Sequence, residues 1–197
     1  PTSATSGVTF AWSRAAIGNI TPATSSGIGN ISESLTNNTS AAIDVTYKVI
    51  SEINGCNNSP GEDVVVRVNP QPIANITGDM SVCSGTSTDV LFIGSNAIAP
   101  YIFTYNLNGA ATTTVSGSST ATVVSANATS GTNTYSLISV QDANTCTNTA
   151  SGSAIINVRQ SPTASIGSDV SVCQNATSPI ITFTGASTTA PYTFTYK

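Results

Sequence analysis

Four cysteines obey one spacing in this chain: Cys56 and Cys146 lie 90 residues apart, and so do Cys83 and Cys173. The residues around the second pair repeat with it. Pro72-Ile-Ala74-Asn-Ile76-Thr-Gly-Asp79-Met-Ser81-Val82-Cys83 returns as Pro162-Thr-Ala164-Ser-Ile166-Gly-Ser-Asp169-Val-Ser171-Val172-Cys173. A second block, Ala99-Pro100-Tyr101-Ile-Phe103-Thr-Tyr105, returns at an offset of 91 as Ala190-Pro191-Tyr192-Thr-Phe194-Thr-Tyr196. A fixed period of this length marks tandem units, each about the size of an immunoglobulin-like sandwich.

The period divides the chain into residues 1–69, an N-terminally incomplete repeat; residues 70–160, a complete repeat; and residues 161–197, the start of a third. Aligning Phe10 with Phe103 puts Trp12, Tyr105 and Tyr196 at one structural position. The chain then begins and ends in the same strand of successive units. With Pro1-Thr-Ser at its start and no initiator Met, it reads as an internal piece of something longer.

Within the units the hydrophobic pattern has period two. Val8-Thr-Phe10-Ala-Trp12 alternates as a half-buried strand does, and Ala42–Ile50 places Ile43, Val45, Tyr47 and Val49 on one face. A weaker strand is expected over Gly29–Leu35, a tight turn at Asn54-Gly55, and a closing strand at Val64–Val68 before Pro70 and Pro72. In the middle unit the candidates are Ile73–Ile76, Val90–Ile93, Tyr101–Leu107, Thr112–Val115, Ala121–Val124, Thr134–Val140 and Ala154–Val158. They are short, rich in Thr, Val, Ile and Tyr, and separated by Gly, Asn and Ser. No stretch holds a helical period. The expected fold is all-β, tandem Ig-like or PKD-like antiparallel sandwiches of about 90 residues.

Composition narrows the function. Charged residues make up only 7% of the 197 residues, the net charge is -4 and there is no histidine. Thr, Ser, Asn and Gly must therefore supply the polar surface, as in secreted β-rich stalks. The five basic residues stand singly, which leaves no footprint for nucleic acid. No apolar run is long enough for a membrane span. General-base histidine, a phosphate-binding glycine loop after a strand and a carboxylate cluster are all missing from the sequence, so it offers no catalytic site and calls for no cofactor.

Cysteines in repeat register point to disulfides rather than metal ligands, because there is no Cys-x-x-Cys pair and no histidine. Two schemes are open: Cys83 with Cys146 inside the middle unit, or Cys56 with Cys83 and Cys146 with Cys173 across boundaries. The second requires each linker to fold back by a full strand, whereas bridged Cα atoms lie within about 7 Å. The expectation is therefore a Cys83–Cys146 pair, with the partners of Cys56 and Cys173 outside this segment.

Other candidates have plainer readings. Trp12, Tyr105 and Tyr196 could stack a ligand, but alternation with Phe10, Phe103 and Phe194 assigns them to the core. Asp79, Asp169, Asp142 and Asn144 are the best calcium candidates, yet such a site needs six to eight oxygens and each junction offers one or two carboxylates. Turn roles fit them better. Glu62 and Asp63 are adjacent on a strand and point to opposite faces, so they cannot act as an acid–base pair.

The recurring motifs Pro-x-Ala-x-Ile, Ser-Val-Cys, Ala-Pro-Tyr-x-Phe-Thr-Tyr and Thr134-Tyr-Ser-Leu-Ile-Ser-Val140-x-Asp142-Ala-Asn144-x-Cys146 resemble repeats of very large Bacteroidetes surface proteins. Thr9-Phe10-Ala-Trp12-Ser-Arg14, Leu35-Thr-Asn-Asn-Thr39, Val45-Thr-Tyr47 and Asn54-Gly55-Cys56 are similar to their PKD-like domain; gliding-motility adhesins of the SprB type are members. The resemblance implies type IX export, an extracellular, outer-surface location, and a non-enzymatic role as an extended adhesive fibre or stalk. Its partners would be neighbouring repeats, the secretion and motility machinery, and extracellular surfaces or polysaccharide. No binding residue carries over, since the matched positions are core, turn and cysteine residues. The rival reading is a carbohydrate- or protein-binding accessory module of a secreted hydrolase, which an exposed strip of aromatic rings would support.

Overall fold

The computed structural model describes residues 2–117, 121–127, 130–167 and 169–197. Those residues form an all-β protein of Ig-like sandwich type, with no helix among them.

The N-terminal strands are β1 (Thr9–Arg14), β2 (Ile20–Thr21), β3 (Ser25–Ile28), β4 (Thr36–Asn37), β5 (Ile43–Ile53), β6 (Cys56–Asn57) and β7 (Glu62–Val68). Their main sheet runs β3-β1-β5-β6, with β7 also paired to β5, and β2 and β4 make a separate two-stranded ribbon. Alternation on β5 sends Val45 and Tyr47 inward, where they meet Trp12 and Ile20 in a small core. Trp12 and Tyr47 touch edge to face at a centroid distance of 5.8 Å. The indole lies so close to β3 that a Cβ on Gly27 would meet it at 2.7 Å, so glycine there makes room for the ring.

The expected strand over Gly29–Leu35 is not a strand; regular pairing falls earlier, on β3, and residues 31–35 run as coil. The alternation was nonetheless real. Ile31 and Leu35 pack on the core and Glu33 turns toward it, but no neighbouring strand completes a ladder there.

The middle strands are β8 (Ile73–Thr77), β9 (Met80–Cys83), β10 (Ser87–Ser95), β11 (Tyr101–Leu107), β12 (Thr113–Gly117), β13 (Ala121–Asn127), β14 (Gly131–Gln141), β15 (Thr147–Thr149) and β16 (Ser153–Arg159). They build a three-stranded sheet, β13-β10-β8, and a second sheet, β12-β11-β14-β16-β9, with β15 also on β14. Ile76, Val90 and Phe92 from the first sheet pack on Tyr101, Phe103, Tyr105, Leu137, Val140 and Ile156 from the second. Each such side chain removed from water contributes about 1.5–3 kcal/mol.

Two features of this sandwich lie outside the sequence expectation. The chain leaves β8 at Gly78, crosses to the other sheet, and pairs as β9 in parallel with β16. Gly78 sits at φ +140, and a Cβ there would lie 2.9 Å from the Asp89 carbonyl oxygen, so the crossing requires glycine. On β14 the register with β11 shifts between Thr104 and Tyr105. That bulge moves the inward phase from Tyr135 and Leu137 to Val140, which keeps a long strand apolar on its core side across a bend.

Beyond Arg159, β17 (Thr163–Ile166) pairs with β18 (Phe183–Ala186) as β8 pairs with β10. The ring geometry repeats too: Phe183 lies 5.6 Å from Phe194, against 5.7 Å between Phe92 and Phe103. Gly94 faces the Tyr101 ring, where a Cβ would come within 2.5 Å, and Gly185 faces Tyr192 in the same way. The 91-residue offset therefore carries these ring contacts. Tyr196, expected in the core with Tyr105, is instead 75% exposed, because among the described residues the β17-β18 pair has no wide opposing sheet to cover it.

Candidate functional site

The N-terminal core contains the most strongly perturbed ionisable groups. Arg14 follows Phe10 and Trp12 on β1 in the same inward phase, so its guanidinium points into the protein. There it forms a bidentate pair with Glu33: Nε donates to Oε2 at 3.0 Å and Nη2 to Oε1 at 2.7 Å. Its remaining donors reach the carbonyl oxygens of Ala23, at 2.8 Å, and Pro22, at 2.5 Å. The Tyr47 hydroxyl donates to Glu33 Oε2 at 2.5 Å. Side-chain exposure is 0% for Arg14 and 6% for Glu33, so the pair is dry and its hydrogen bonds are charge-assisted.

Those contacts set the ionisation. Hydrogen bonding from the Arg14 guanidinium outweighs burial and lowers the Glu33 carboxyl to about 2. The same bond raises Arg14, while burial raises the Tyr47 hydroxyl. The guanidinium, carboxylate and hydroxyl face one another. The network fastens the coil carrying Glu33 and the 22–23 turn onto β1 and β5; its chemistry is that of a structural clamp. The sequence reading missed it, taking Arg14 only as one of five singly placed basic residues. The available signal was phase, since position 14 continues the inward set of positions 10 and 12.

The calcium candidates serve as turn residues. Asp142 is buried, and its Oδ1 accepts from the backbone amides of Asn144 and Cys146, each at 2.9 Å. Asp79 Oδ1 accepts from the Ile155 amide at 2.6 Å, pinning the β8–β9 crossing to β16. Asp169 is exposed in the C-terminal segment. Among the described residues no three His, Cys, Asp or Glu side chains are gathered. Asp63 forms an ion pair with Lys48 across β5 and β7 at 2.5 Å, on the face opposite Glu62. Open hollows flank the sheets; the one beside β8 is lined by Ile73, Ala74, Asn148, Thr149, Ala150 and Ser151, with no ionisable group.

The four cysteines are unpaired thiols in this structure, and the register shows that the expected Cys83–Cys146 pairing needs correction. Cys83 lies beside Arg159, and neighbouring Val158 lies beside Gly131 at the start of β14. Cys146 immediately precedes Thr147, which lies beside Gln141 at the end of β14. The two thiols thus occupy opposite ends of an eleven-residue strand, roughly 30 Å apart at about 3.3 Å per residue, where a disulfide allows about 7 Å. A Cys83–Cys146 bond requires both thiols at one pole of the sandwich. The sheet crossing at Gly78 instead carries Cys83 to the far pole. Cys56 repeats the placement of Cys146, at the β5–β6 turn beside the start of β1 and away from the 69–72 linker, so the Cys56–Cys83 alternative is equally out of reach.

Residues 1–72 match the PKD-like domain. The match covers the N-terminal sheet, its clamp and the linker, and supports an Ig-like, PKD-type repeat. No curated protein matches the chain. Among the described residues no helix is long and apolar enough to cross a membrane.

Proposed function

We propose that this chain is a non-enzymatic structural segment of a large secreted cell-surface adhesin of the gliding-motility (SprB) type, exported by the type IX system. The observation that carries the reading is the burial of the middle unit's aromatic rings. Exposure is 1% at Tyr101, 0% at Phe103, 8% at Tyr105 and 6% at Tyr135. A carbohydrate-binding module needs ring faces in solvent, and these rings are spent on the core. The PKD-like match and a surface of Thr, Ser and Asn also favour an extracellular spacer. In this role Pro70 and Pro72 limit bending between repeats, and adhesion to surfaces or polysaccharide arises from multivalency along the parent chain.

The test is antibody labelling of intact cells with serum raised against this segment, combined with a glycan array probed with the isolated chain. Surface labelling without glycan binding is expected. Exclusive labelling after permeabilisation would overturn the location, and strong selective glycan binding would favour the accessory-module reading.

A further inference from the structure

The middle repeat carries one thiol at each of its two poles, Cys83 and Cys146, and both poles are folded against linkers. At the trailing pole the Ser84 amide donates to the Arg159 carbonyl at 2.7 Å, and Ser161 Oγ donates to the Ser84 carbonyl at 3.2 Å. The chain therefore leaves the sandwich alongside the Cys83 turn. At the leading pole Asn148 Nδ2 donates to the Pro72 carbonyl at 3.0 Å and Asn96 Nδ2 to the Gln71 carbonyl at 2.9 Å. The incoming linker is thus held both by the segment that follows Cys146 and by the β10–β11 loop.

We propose that the disulfides of this protein join successive repeats: Cys83 of one unit bonds the counterpart of Cys146, 90 residues further on, in the next. This rests on the tandem-repeat reading above. Three peptide steps separate Arg159, beside Cys83, from Pro162, the counterpart of Pro72, a span of at most about 11 Å. Both thiols lie on the β16 side of β14, because β15 and β16 pair with the same edge of that strand. The junction therefore brings together, one from each repeat, the two groups that β14 keeps apart within a repeat. Cys83 is exposed and Cys146 half-buried, so both poles are open to exchange.

Forming each bond removes two protons and two electrons from the thiol pair. They pass to the disulfide of a thiol oxidoreductase, which is reduced to a dithiol as the S–S bond forms. Because every unit is tied at both poles, the links form a second covalent line past each linker. Tension then crosses a junction without straightening the linker, and rotation about it is restricted.

Two arms test the proposal. In this chain Asn69 holds, in the first linker, the place that Arg159 holds in the second, so Asn69→Cys puts a thiol at the trailing end of β7. Mild oxidation with glutathione disulfide, followed by non-reducing digestion and mass spectrometry, is expected to link that position to Cys146 and leave Cys56 and Cys83 free. Gln71→Cys, exposed in the same linker, serves if the first variant does not fold. In the protein recovered from cell surfaces, Cys83 is expected in a peptide bonded to the 142–146 turn of the following repeat. A Cys83–Cys146 bond in either arm, or no bond from either linker position to Cys146, overturns the proposal. Free thiols on a surface-located protein also overturn it while leaving the stalk reading intact; a protein found only inside cells removes both.

Discussion

The N-terminal sheet and the middle sandwich solve one packing problem with different chemistry. At the inward position after Trp12 the N-terminal sheet has Arg14, and at the matching position after Tyr105 the middle sandwich has Leu107. The first buries a guanidinium against Glu33 and Tyr47; the second stacks Phe92 on Phe103 and Tyr105 at centroid distances of 5.7 and 5.0 Å. A buried ion pair is costly to assemble and more costly to break halfway, whereas an aromatic core loses stability in proportion to what is removed. The two regions should therefore respond to different insults. Trp12, the single tryptophan, lies in the N-terminal core, so its fluorescence reports that region separately from total circular dichroism.

The largest effect expected is from Phe103→Ala, about 3–5 kcal/mol from the middle sandwich. Denaturant titration should show it in circular dichroism while the Trp12 transition stays in place; movement of both together would mean that the cores are not independent. Glu33→Ala should cost the N-terminal sheet about 3 kcal/mol or more, because it strands a buried cation. Replacing both members, Arg14→Leu with Glu33→Leu, should cost less than Glu33→Ala alone, a non-additivity that a double-mutant cycle reads directly.

Acid separates the regions more gently. Glu33 is held at about 2 in the folded state against a starting value of 4.5. A depressed carboxyl contributes stability that is full above its unfolded value and is lost as pH falls toward the folded one, so the loss falls between about pH 4.5 and 2. It should reach on the order of 2–3 kcal/mol, lowering the Trp12 denaturation midpoint, and Glu33→Gln should abolish this pH dependence. The smallest effect is expected at Val65, exposed on β7: Val65→Thr should change stability by less than about 0.5 kcal/mol.

What was legible in the sequence was whatever is local. Alternation at Val45 and Tyr47, and at Tyr101, Phe103 and Tyr105, specified strands and their inward faces. The 91-residue offset matched Phe194 to Phe103, whereas the contact of Phe194 with Phe183 came only with the structure. What escaped depends on distant partners. Glu33 lies in coil and is explained only by Arg14, nineteen residues away. The bulge on β14 is set by its register with β11, and the change of sheet at Gly78 is settled by β16, some eighty residues later. That last crossing decides the cysteine chemistry, because it places Cys83 at the pole opposite Cys146.

The central claim is that the two thiols of the middle repeat mark its opposite ends. It is tested most directly by double electron–electron resonance between spin labels on Cys83 and Cys146, in protein carrying Cys56→Ser and Cys173→Ser. A single distance of roughly 30 Å or more, the length of β14 at about 3.3 Å per residue, is the predicted result. Labels in near contact, or a spontaneous bond between the two thiols before labelling, would contradict it and return the disulfide to the interior of the repeat.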